Sequence, residues 1–234
     1  MNPQPTDDSR EADDHSGRED SQTAGDPRAT YDRIAAHFSK TREYAWPEVE
    51  SFLDGRSADR ALDVGCGNGR HTELLAECAR SVVGIDLSRE LLREAVSRAR
   101  ERGFDDAADF LHGDAASLPV ADDAVGIGIY VATLHHLPAR DARVRSLDEL
   151  ARVLEPGGSA LVSAWSTAHD RFDRDDGFDT TVDWTLPGGE TVPRYYHIYS
   201  PAEFDADLAA SDLTTVESSV SSGNCYAVVA PLDA

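Results

Sequence analysis

A glycine-rich turn at residues 62–69 constrains the fold more than any other feature of the chain. The segment reads Leu-Asp-Val-Gly-Cys-Gly-Asn-Gly, follows an apolar run typical of a buried strand, and precedes a helical pattern that extends to about Cys78. Glycines permit a tight turn and allow a ligand to lie directly against the backbone. A strand, glycine turn and helix in this order are typical of nucleotide-binding α/β proteins, although dinucleotide-binding oxidoreductases offer a similar spacing.

Strand and helix patterns alternate along the rest of the chain. Strands are predicted at 61–64, 81–86, 107–112, 124–131, 159–165, 213–219 and 224–230, and helices at 88–102, 140–153 and 201–210. Strands that alternate with helices form parallel sheets. We therefore expect an α/β fold with a doubly wound, mostly parallel sheet.

Composition divides the chain into two parts. Residues 1–28 carry eight acids and three arginines with almost no large apolar side chain, so we predict a disordered acidic tail. Helical spacing begins near Tyr31, and one domain is expected over residues 29–234. Within it, residues 166–192 are polar and glycine-rich, and too long for a plain connection, which predicts a lid or insertion.

The chain is strongly acidic, with 44 Asp and Glu against 22 Lys and Arg, and Lys40 is its one lysine. Dense carboxylates with little lysine are typical of halophilic proteins, in which high salt screens the self-repulsion; an acidic mesophilic protein is the alternative. A nucleic-acid partner would require a local arginine patch, stacking contacts or a helper subunit.

Other composition features exclude several classes. No apolar run is long enough to cross a membrane, and the N-terminus lacks the pattern of a secretory signal, so a cytoplasmic enzyme is expected. The three cysteines, Cys66, Cys78 and Cys225, have no paired-ligand spacing, so no metal site is predicted.

Acidic residues at three predicted strand ends point to the ligand. Asp63 lies two residues before the first glycine of the turn, Asp86 ends the second strand, and Gly113-Asp114-Ala115 ends the third. Arg70 stands where a dinucleotide-binding G-x-G-x-x-G motif would have its last glycine. With Leu154-Glu155-Pro156-Gly157-Gly158 before the fifth strand, residues 58–165 resemble the class I S-adenosylmethionine-dependent methyltransferases.

That resemblance implies a Rossmann-like sheet of seven strands with an antiparallel final strand, and S-adenosylmethionine as the cofactor. It also implies roles for individual residues. Gly65 and Gly67 would line the methionine moiety, Asp63 would position its ammonium group, and Asp86 would hold the ribose. Asp114 and Ala115 would contact the adenine, and Cys66 and Leu87 complete the expected set.

The flanking segments narrow the resemblance. They are the Tyr31–Arg42 and Trp46–Leu53 segments, Thr133-Leu134-His135-His136-Leu137, Trp165, and Arg194-Tyr195-Tyr196-His197-Ile198-Tyr199. Together they resemble the tRNA wobble-uridine methyltransferases, which esterify 5-carboxymethyluridine. The chain departs from that family near its end, because Cys225 in Asn224-Cys225-Tyr226 replaces an aromatic residue.

This resemblance implies a carboxylate substrate, which is already ionised at neutral pH and therefore needs no general base. Alignment of the reacting groups would supply most of the catalysis. A guanidinium group suits a carboxylate, and Arg194 and Arg42 are the candidates. The remaining catalytic candidates are His135, His136, Tyr195 and His197, and the expected base-stacking residues are Trp46, Trp165 and Tyr196.

The resemblance also implies a small zinc-ribbon activator subunit and a heterodimer. The third strand, near 107–112, is the expected edge of the sheet and could accept a partner strand; a solitary enzyme is the alternative. Two other functions stay open at this point: a methyltransferase acting on a small molecule such as a quinone or a carboxylic acid, and a cofactor-binding regulatory subunit without turnover.

Overall fold

A computed structural model describes residues 26–232. Its main sheet has seven strands, β1 Ala58–Val64, β2 Ala79–Asp86, β3 Ala108–His112, β4 Val125–Val131, β5 Leu154–Trp165, β8 Leu213–Ser221 and β9 Asn224–Pro231; β6 Phe178–Thr185 and β7 Thr191–Ile198 form a separate sheet. The order in the main sheet is β3-β2-β1-β4-β5-β9-β8. Neighbouring strands from β3 to β5 are parallel, and β9 runs antiparallel to both β5 and β8. The predicted parallel sheet with an antiparallel final strand is confirmed, and β3 lies at an edge.

Six helices accompany the sheet in the described part of the chain. They are α1 Pro27–Thr41, α2 Pro47–Leu53, α3 Arg70–Cys78, α4 Arg89–Arg102, α5 Arg140–Val153 and α6 Pro201–Ala209, with a short 3₁₀ turn at Leu134–His136. Local sequence explains the bounds of α4: the Ser88 hydroxyl accepts a hydrogen bond from the Leu91 N–H, and Gly103 ends the helix in the left-handed conformation.

Helix α1 begins before the predicted end of the tail. The Asp26 carboxylate accepts a hydrogen bond from the Arg28 N–H, and Pro27 occupies the first helical position. The predicted boundary at residue 28 is therefore wrong by about three residues, because an N-cap and a proline start the helix without any apolar signal. Residues 1–25 of the predicted tail lie outside the described residues.

The core has two layers, one on each face of the sheet. Side chains alternate between the faces along each strand, so Leu62 and Tyr130 pack into one cluster while Ala61 and Ile129 pack into the other. Residues of β4 are buried on both faces, as expected of a central parallel strand. This packing fixes the carboxyl ends of β1, β2 and β4 at one edge of the sheet.

The predicted insertion at 166–192 contains regular structure. Strands β6 Phe178–Thr185 and β7 Thr191–Ile198 pair as an antiparallel hairpin. The hairpin extends past residue 192 to Ile198, so most of the predicted lid or insertion belongs to a hairpin and the segment that leads into it. Its buried face carries Val182, Trp184, Arg194 and Tyr196.

Helix α1 and the hairpin pack against each other. Ile34 of α1 forms a small apolar cluster with Trp184 and Val192 of the hairpin. The Trp184 indole N–H donates to His37 Nδ1 over 3.0 Å, and Arg33 forms an ion pair with Glu190. The two elements therefore form one unit beside the strand ends. Within residues 26–232, no helix is both long and apolar enough to cross a membrane.

Candidate active site

A cavity of about 360 Å³ lies at the carboxyl ends of β1, β2 and β4. Its size lies in the range of pockets for small molecules. Helix α1 contributes Tyr31 and Phe38, the glycine turn contributes Gly65 to Asn68, and the end of β2 contributes Asp86 and Leu87. The segments after β3 and β4 complete the lining with Gly113 to Ala116 and Ala132, Thr133, His136 and Leu137.

Gly65 has a steric reason to be glycine. Its φ is +71°, and a Cβ atom there would lie 2.1 Å from the Thr133 hydroxyl oxygen. The Gly65 N–H donates to the Ile85 carbonyl over 2.7 Å, which holds the turn against β2. The turn therefore keeps the backbone open to the cavity between two strand ends, as predicted from the spacing of the glycines.

Asp86 lines the cavity at the end of β2. Its two carboxylate oxygens accept hydrogen bonds from the Gly67 N–H (2.9 Å) and the Ser88 N–H (2.8 Å). Burial raises the pKa of Asp86 to about 6, although the two backbone donors favour the charged form. The carboxylate oxygens keep further lone pairs for the hydroxyl groups of a ribose.

Asp63 does not contribute to the described lining of the cavity. It is buried behind the glycine turn, where its carboxylate accepts a hydrogen bond from the Thr72 hydroxyl over 2.7 Å. Burial raises the pKa of Asp63 to about 7. The hydrogen bond with Thr72 joins β1 to the first turn of α3, and the predicted role of Asp63 in positioning an ammonium group stays a prediction.

The segment after β3 has the chemistry of a base-binding wall. Asp114 and Ala115 line the cavity together with the apolar residues Leu87 and Leu137. The Asp114 carboxylate accepts a hydrogen bond from the Ala116 N–H over 2.9 Å, which fixes this short turn. The cavity thus offers a carboxylate that suits a diol, apolar side chains that suit a base, and a glycine turn, and this set fits a nucleoside joined to an amino acid.

The two adjacent histidines have different positions. The His135 Nδ1 atom accepts a hydrogen bond from the Trp165 N–H, and His135 is buried in the protein core. His136 lines the cavity; its Nδ1–H donates to the Tyr195 carbonyl over 3.0 Å, so its Nε2 accepts from the Tyr31 hydroxyl over 2.8 Å. Burial lowers the pKa of His136 to about 4 and holds the pKa of His135 well below its usual value.

Arg194 and Arg42 converge on one indole ring. The Arg194 guanidinium carbon lies 4.8 Å from the centre of the Trp184 ring, and that of Arg42 lies 5.3 Å from it. Arg194 is 9% exposed, and its Nε–H has no hydrogen-bond partner among the described residues. Burial raises the pKa of Tyr31 well above its usual value, while the neighbouring Arg194 lowers it. Tyr31 thus connects Arg194 to the cavity.

Other predicted site residues lie away from the cavity. Strand alternation places Tyr195 and His197 on the opposite face of β7 from Arg194: the Tyr195 hydroxyl donates to Asp179, and His197 lies between the carboxylates of Asp179 and Glu203. Trp46 packs near His71 and Tyr226, and Trp165 packs against Phe172 and Tyr196. Cys225, the replacement for an aromatic residue, is buried in the core beside Tyr226.

Three residues of the site had no role in the sequence interpretation: Tyr31, Thr133 and Trp184. Tyr31 and Thr133 stand inside motifs that were recognised, but spacing alone does not show which motif residue meets the ligand. For Trp184 a signal existed, because Val182 and Trp184 alternate with polar residues as in a half-buried strand.

Comparison with known proteins agrees with this geometry. A family model described as a methyltransferase domain matches residues 62–162. The CcbJ methyltransferase of Streptomyces caelestis superposes with a TM-score of 0.72 at 20% identity, over 88% of this chain and 99% of that one. A chain from the Haloferax volcanii complex of the Trm112 methyltransferase activator with a putative methyltransferase superposes with a TM-score of 0.65 at 17% identity. The match covers 88% of this chain and 97% of that one. The fold and the site define a class I S-adenosylmethionine-dependent methyltransferase.

Curated relatives give the family within that class. The tRNA (carboxymethyluridine(34)-5-O)-methyltransferase of Arabidopsis thaliana is 36% identical over 58% of this chain and 31% of its own length. A putative methyltransferase of Encephalitozoon cuniculi is 33% identical over 72% of this chain and 78% of its own length. The chain belongs to the methyltransferase family that includes the tRNA (carboxymethyluridine(34)-5-O)-methyltransferases. It spans less than a third of the Arabidopsis relative.

Proposed function

We propose that this enzyme transfers a methyl group from S-adenosylmethionine to the carboxylate of 5-carboxymethyluridine at the tRNA wobble position, forming the methyl ester. The relatives named for this reaction support the substrate. The observation that carries the proposal is the buried Arg194, whose Nε–H has no partner among the described residues and whose guanidinium lies against Trp184 and Tyr196. These two rings pack on Phe38 and His136, which line the cavity. Burial of a guanidinium is costly unless it is paired, which supports an anionic group of the substrate here.

Cofactor binding would follow the lining of the cavity. Asp86 and Leu87 would hold the ribose, Asp114 and Ala115 the adenine, and Gly65, Cys66 and Gly67 the methionine moiety. Asp63 would act indirectly, by supporting the turn. When bound, the cofactor supplies an electrophilic methyl group on a sulfonium centre.

The chain's own residues would align the nucleophile. A carboxylate has a pKa near 4, so at neutral pH its oxygen carries no proton and no base is required. Arg194, with Arg42 on the same indole, would fix the carboxylate so that one oxygen faces the methyl group. His136 and Tyr31 would form the wall between the arginine and the cavity. Tyr196 stacks near both histidines and completes that wall.

The predicted activator would bind at the edge strand β3. Leu111 is 39% exposed there, and Phe110 borders a surface groove formed with Leu92 and Val96 of α4. The structural likeness to the methyltransferase of the Haloferax volcanii activator complex supports a heterodimer of this kind. An enzyme that methylates tRNA would work in the cytoplasm, where its substrate is found.

Methylation of tRNA that carries the free carboxylate, before any ester has formed, tests the proposal. Purified chain, with and without a zinc-ribbon activator, is incubated with S-adenosylmethionine and tRNA that carries 5-carboxymethyluridine, and the nucleosides are analysed by mass spectrometry. The methyl ester should appear. Arg194→Ala should lower kcat by roughly 10- to 150-fold while cofactor affinity stays unchanged, since a charged hydrogen-bonded pair is worth roughly 1.5–3 kcal/mol.

Two controls make this test specific. Arg194→Lys keeps the charge but loses the planar fork, so it should also be slow. Arg80→Ala removes an exposed arginine at the start of β2, at the opposite end of the sheet, and should be as active as the wild type. Methyl transfer only to a small carboxylic acid or a quinone-like acceptor, and none to tRNA, would reject the proposed substrate in favour of a small molecule.

A further inference from the structure

The buried and half-buried arginines fall into two groups that differ in their partners. Within residues 26–232 these arginines are Arg42, Arg70, Arg98, Arg143, Arg152 and Arg194. Arg98, Arg143 and Arg152 form ion pairs with carboxylates. The other three form no ion pair with any described residue; Arg42 and Arg194 stack on Trp184, and Arg70 lines the cavity itself. The proposed substrate carboxylate accounts for Arg194 and Arg42 but leaves Arg70 without a role.

Arg70 is the first residue of α3 and directly follows the glycine turn. Its guanidinium carbon lies 5.4 Å from the centre of the Trp46 ring, and its side chain donates a hydrogen bond to the Tyr44 carbonyl over 3.3 Å. A guanidinium has five N–H donors, so most of those of Arg70 stay available to a ligand in the cavity. These contacts hold the side chain in place without neutralising its charge.

Positive charges gather around Arg70 although the chain as a whole is acidic. Burial is the main cause that lowers the pKa of Arg70 to about 10, and the guanidinium of Arg42 lowers it further, as does that of Arg98. The buried carboxyl of Asp63 acts in the opposite direction but forms no ion pair with Arg70. An anion bound at Arg70 would relieve both the burial cost and the repulsion between the arginines.

His71, the next residue of α3, is a second polar group at this place. It lines the cavity, is 6% exposed, and its Nε2 atom has no hydrogen-bond partner among the described residues. Burial lowers the pKa of His71 to about 3, and Arg70 and Arg98 lower it further, so the ring is neutral and carries one N–H. The positive end of α3 lies here as well, and it favours a negative charge.

The order of the strands indicates which anion reaches Arg70. Asp114 follows β3, Asp86 ends β2, and Arg70 follows the turn after β1, and these three strands are neighbours in that order. Neighbouring strands lie about 4.8 Å apart. A ligand with its base at Asp114 and its ribose at Asp86 therefore extends its third part, the amino acid, towards Arg70.

We propose that Arg70, together with His71, binds the α-carboxylate of the methionine moiety and makes the enzyme specific for a cofactor that carries this group. A guanidinium is the side chain best suited to a carboxylate, because it can donate two parallel hydrogen bonds. The substrate carboxylate has its own cations in Arg194 and Arg42, so the two negative groups are bound at separate arginines. This inference rests on the cofactor site of the proposed function and deepens it.

Two ligands that differ only in the α-carboxylate test this assignment. Calorimetry measures the binding of S-adenosylhomocysteine and of its decarboxylated analogue to the wild type and to Arg70→Gln, His71→Phe and Arg56→Gln. Arg56 is the matched control, because its guanidinium stacks on Phe52 at 4.5 Å and donates to a backbone carbonyl, as that of Arg70 does, but it does not line the described cavity.

The wild type should bind S-adenosylhomocysteine roughly tenfold or more tightly than the decarboxylated analogue. Arg70→Gln should abolish most of this preference: it should bind S-adenosylhomocysteine roughly tenfold or more weakly than the wild type and the analogue within about twofold of it. His71→Phe keeps a ring against Trp46 but loses the N–H, so it should weaken S-adenosylhomocysteine alone, by roughly threefold. Arg56→Gln should match the wild type with both ligands.

Three results would overturn the inference. The first is equal weakening of both ligands in Arg70→Gln, which would show that Arg70 only shapes the cavity. The second is a wild type without preference for the carboxylate. The third is an Arg70→Gln enzyme with normal binding of both ligands and a raised KM for tRNA, which would assign Arg70 to an RNA phosphate. A wild type that shows the expected preference but forms no ester on tRNA would overturn the proposed substrate alone.

Discussion

Neighbouring residues of one motif differ in chemistry because their partners come from distant parts of the chain. His135 and His136 share the same sequence context, yet His135 accepts from the Trp165 N–H whereas His136 spans Tyr31 and the Tyr195 carbonyl. Burial lowers both histidine pKa values, that of His136 to about 4, so each is neutral at physiological pH. Neither has a proton to lose between pH 6 and 8.

The rate of methyl transfer should therefore be flat over that pH range. A carboxylate nucleophile is fully ionised above about pH 6, and the histidines do not titrate there. The measurement is the pH dependence of single-turnover ester formation on tRNA. His136→Asn should lower the rate uniformly without adding a slope, whereas a steep rise between pH 6 and 7 that disappears in this variant would show that a histidine acts as a base.

Asp63 should make the fold less stable as pH rises. Its pKa is about 7 in the folded chain and near 4 when unfolded, so the folded state binds more protons between these values. Stability from this group is present at acidic pH and is lost as pH rises to about 7. Asp63→Asn removes the buried charge. The melting temperature of this variant minus that of the wild type should therefore increase as pH is raised from about 4.5 to about 7.5. A constant difference across this range would contradict the raised pKa.

At the scale of elements, α1 and the β6–β7 hairpin form one side of the site. Ile34 packs with Trp184, His37 accepts from the same indole, and Asp32 of α1 accepts hydrogen bonds from the Ser88 hydroxyl and the Glu90 N–H of α4. Helix α1 thus joins the hairpin to the strand that carries Asp86. Its loss would open the cavity as well as expose apolar surface.

Truncations should locate the true start of the domain. Deletion of residues 1–25 should leave the melting temperature and turnover nearly unchanged, because that segment has too few apolar residues to pack. Deletion of residues 1–28 also removes the Asp26 cap and Pro27, which should cost about 1 kcal/mol of unfolding free energy. The two deletion variants are compared by thermal melting and tRNA methylation. Equal melting temperatures of the two variants would show that the Asp26 cap is unimportant. A large loss of melting temperature or turnover on deletion of residues 1–25 would show that these residues contribute to the domain.

The sequence predicted the sheet better than the site. Alternating elements and the glycine turn place Asp86 and Asp114 at strand ends, because in parallel sheets the end of each strand is fixed by local pattern. The partners of Arg194 could not be predicted, since Trp184 and Tyr31 reach it only through the packing of α1 on the hairpin. The positions of Tyr195 and His197 could not be predicted for a related reason. The register of the hairpin decides which face each residue takes, and Arg194 and Tyr196 lie on one face of β7 while Tyr195 and His197 lie on the other.

At the scale of the whole molecule, net negative charge is the feature that most affects how stability depends on salt. The net charge of −22 implies strong self-repulsion, and the exposed ion pairs in the described chain, such as that of Arg102 with Glu43, contribute little against it. The pair of Arg143 with Asp207 is buried and is therefore screened little by salt. Salt thus acts mainly on the repulsion between surface carboxylates.

Added salt should consequently stabilise the fold. Raising KCl from about 0.1 M to about 1 M shortens the Debye length from about 10 Å to about 3 Å, which removes most repulsion between separate surface carboxylates while leaving buried pairs intact. The melting temperature should rise by at least ~5 °C over this range. Sucrose at matched osmolality controls for exclusion of solute from the surface and should give a smaller shift. A melting temperature that is constant or falls with KCl would show that ion pairs, and not self-repulsion, set the salt response, and would contradict the interpretation of this surface as adapted to high salt.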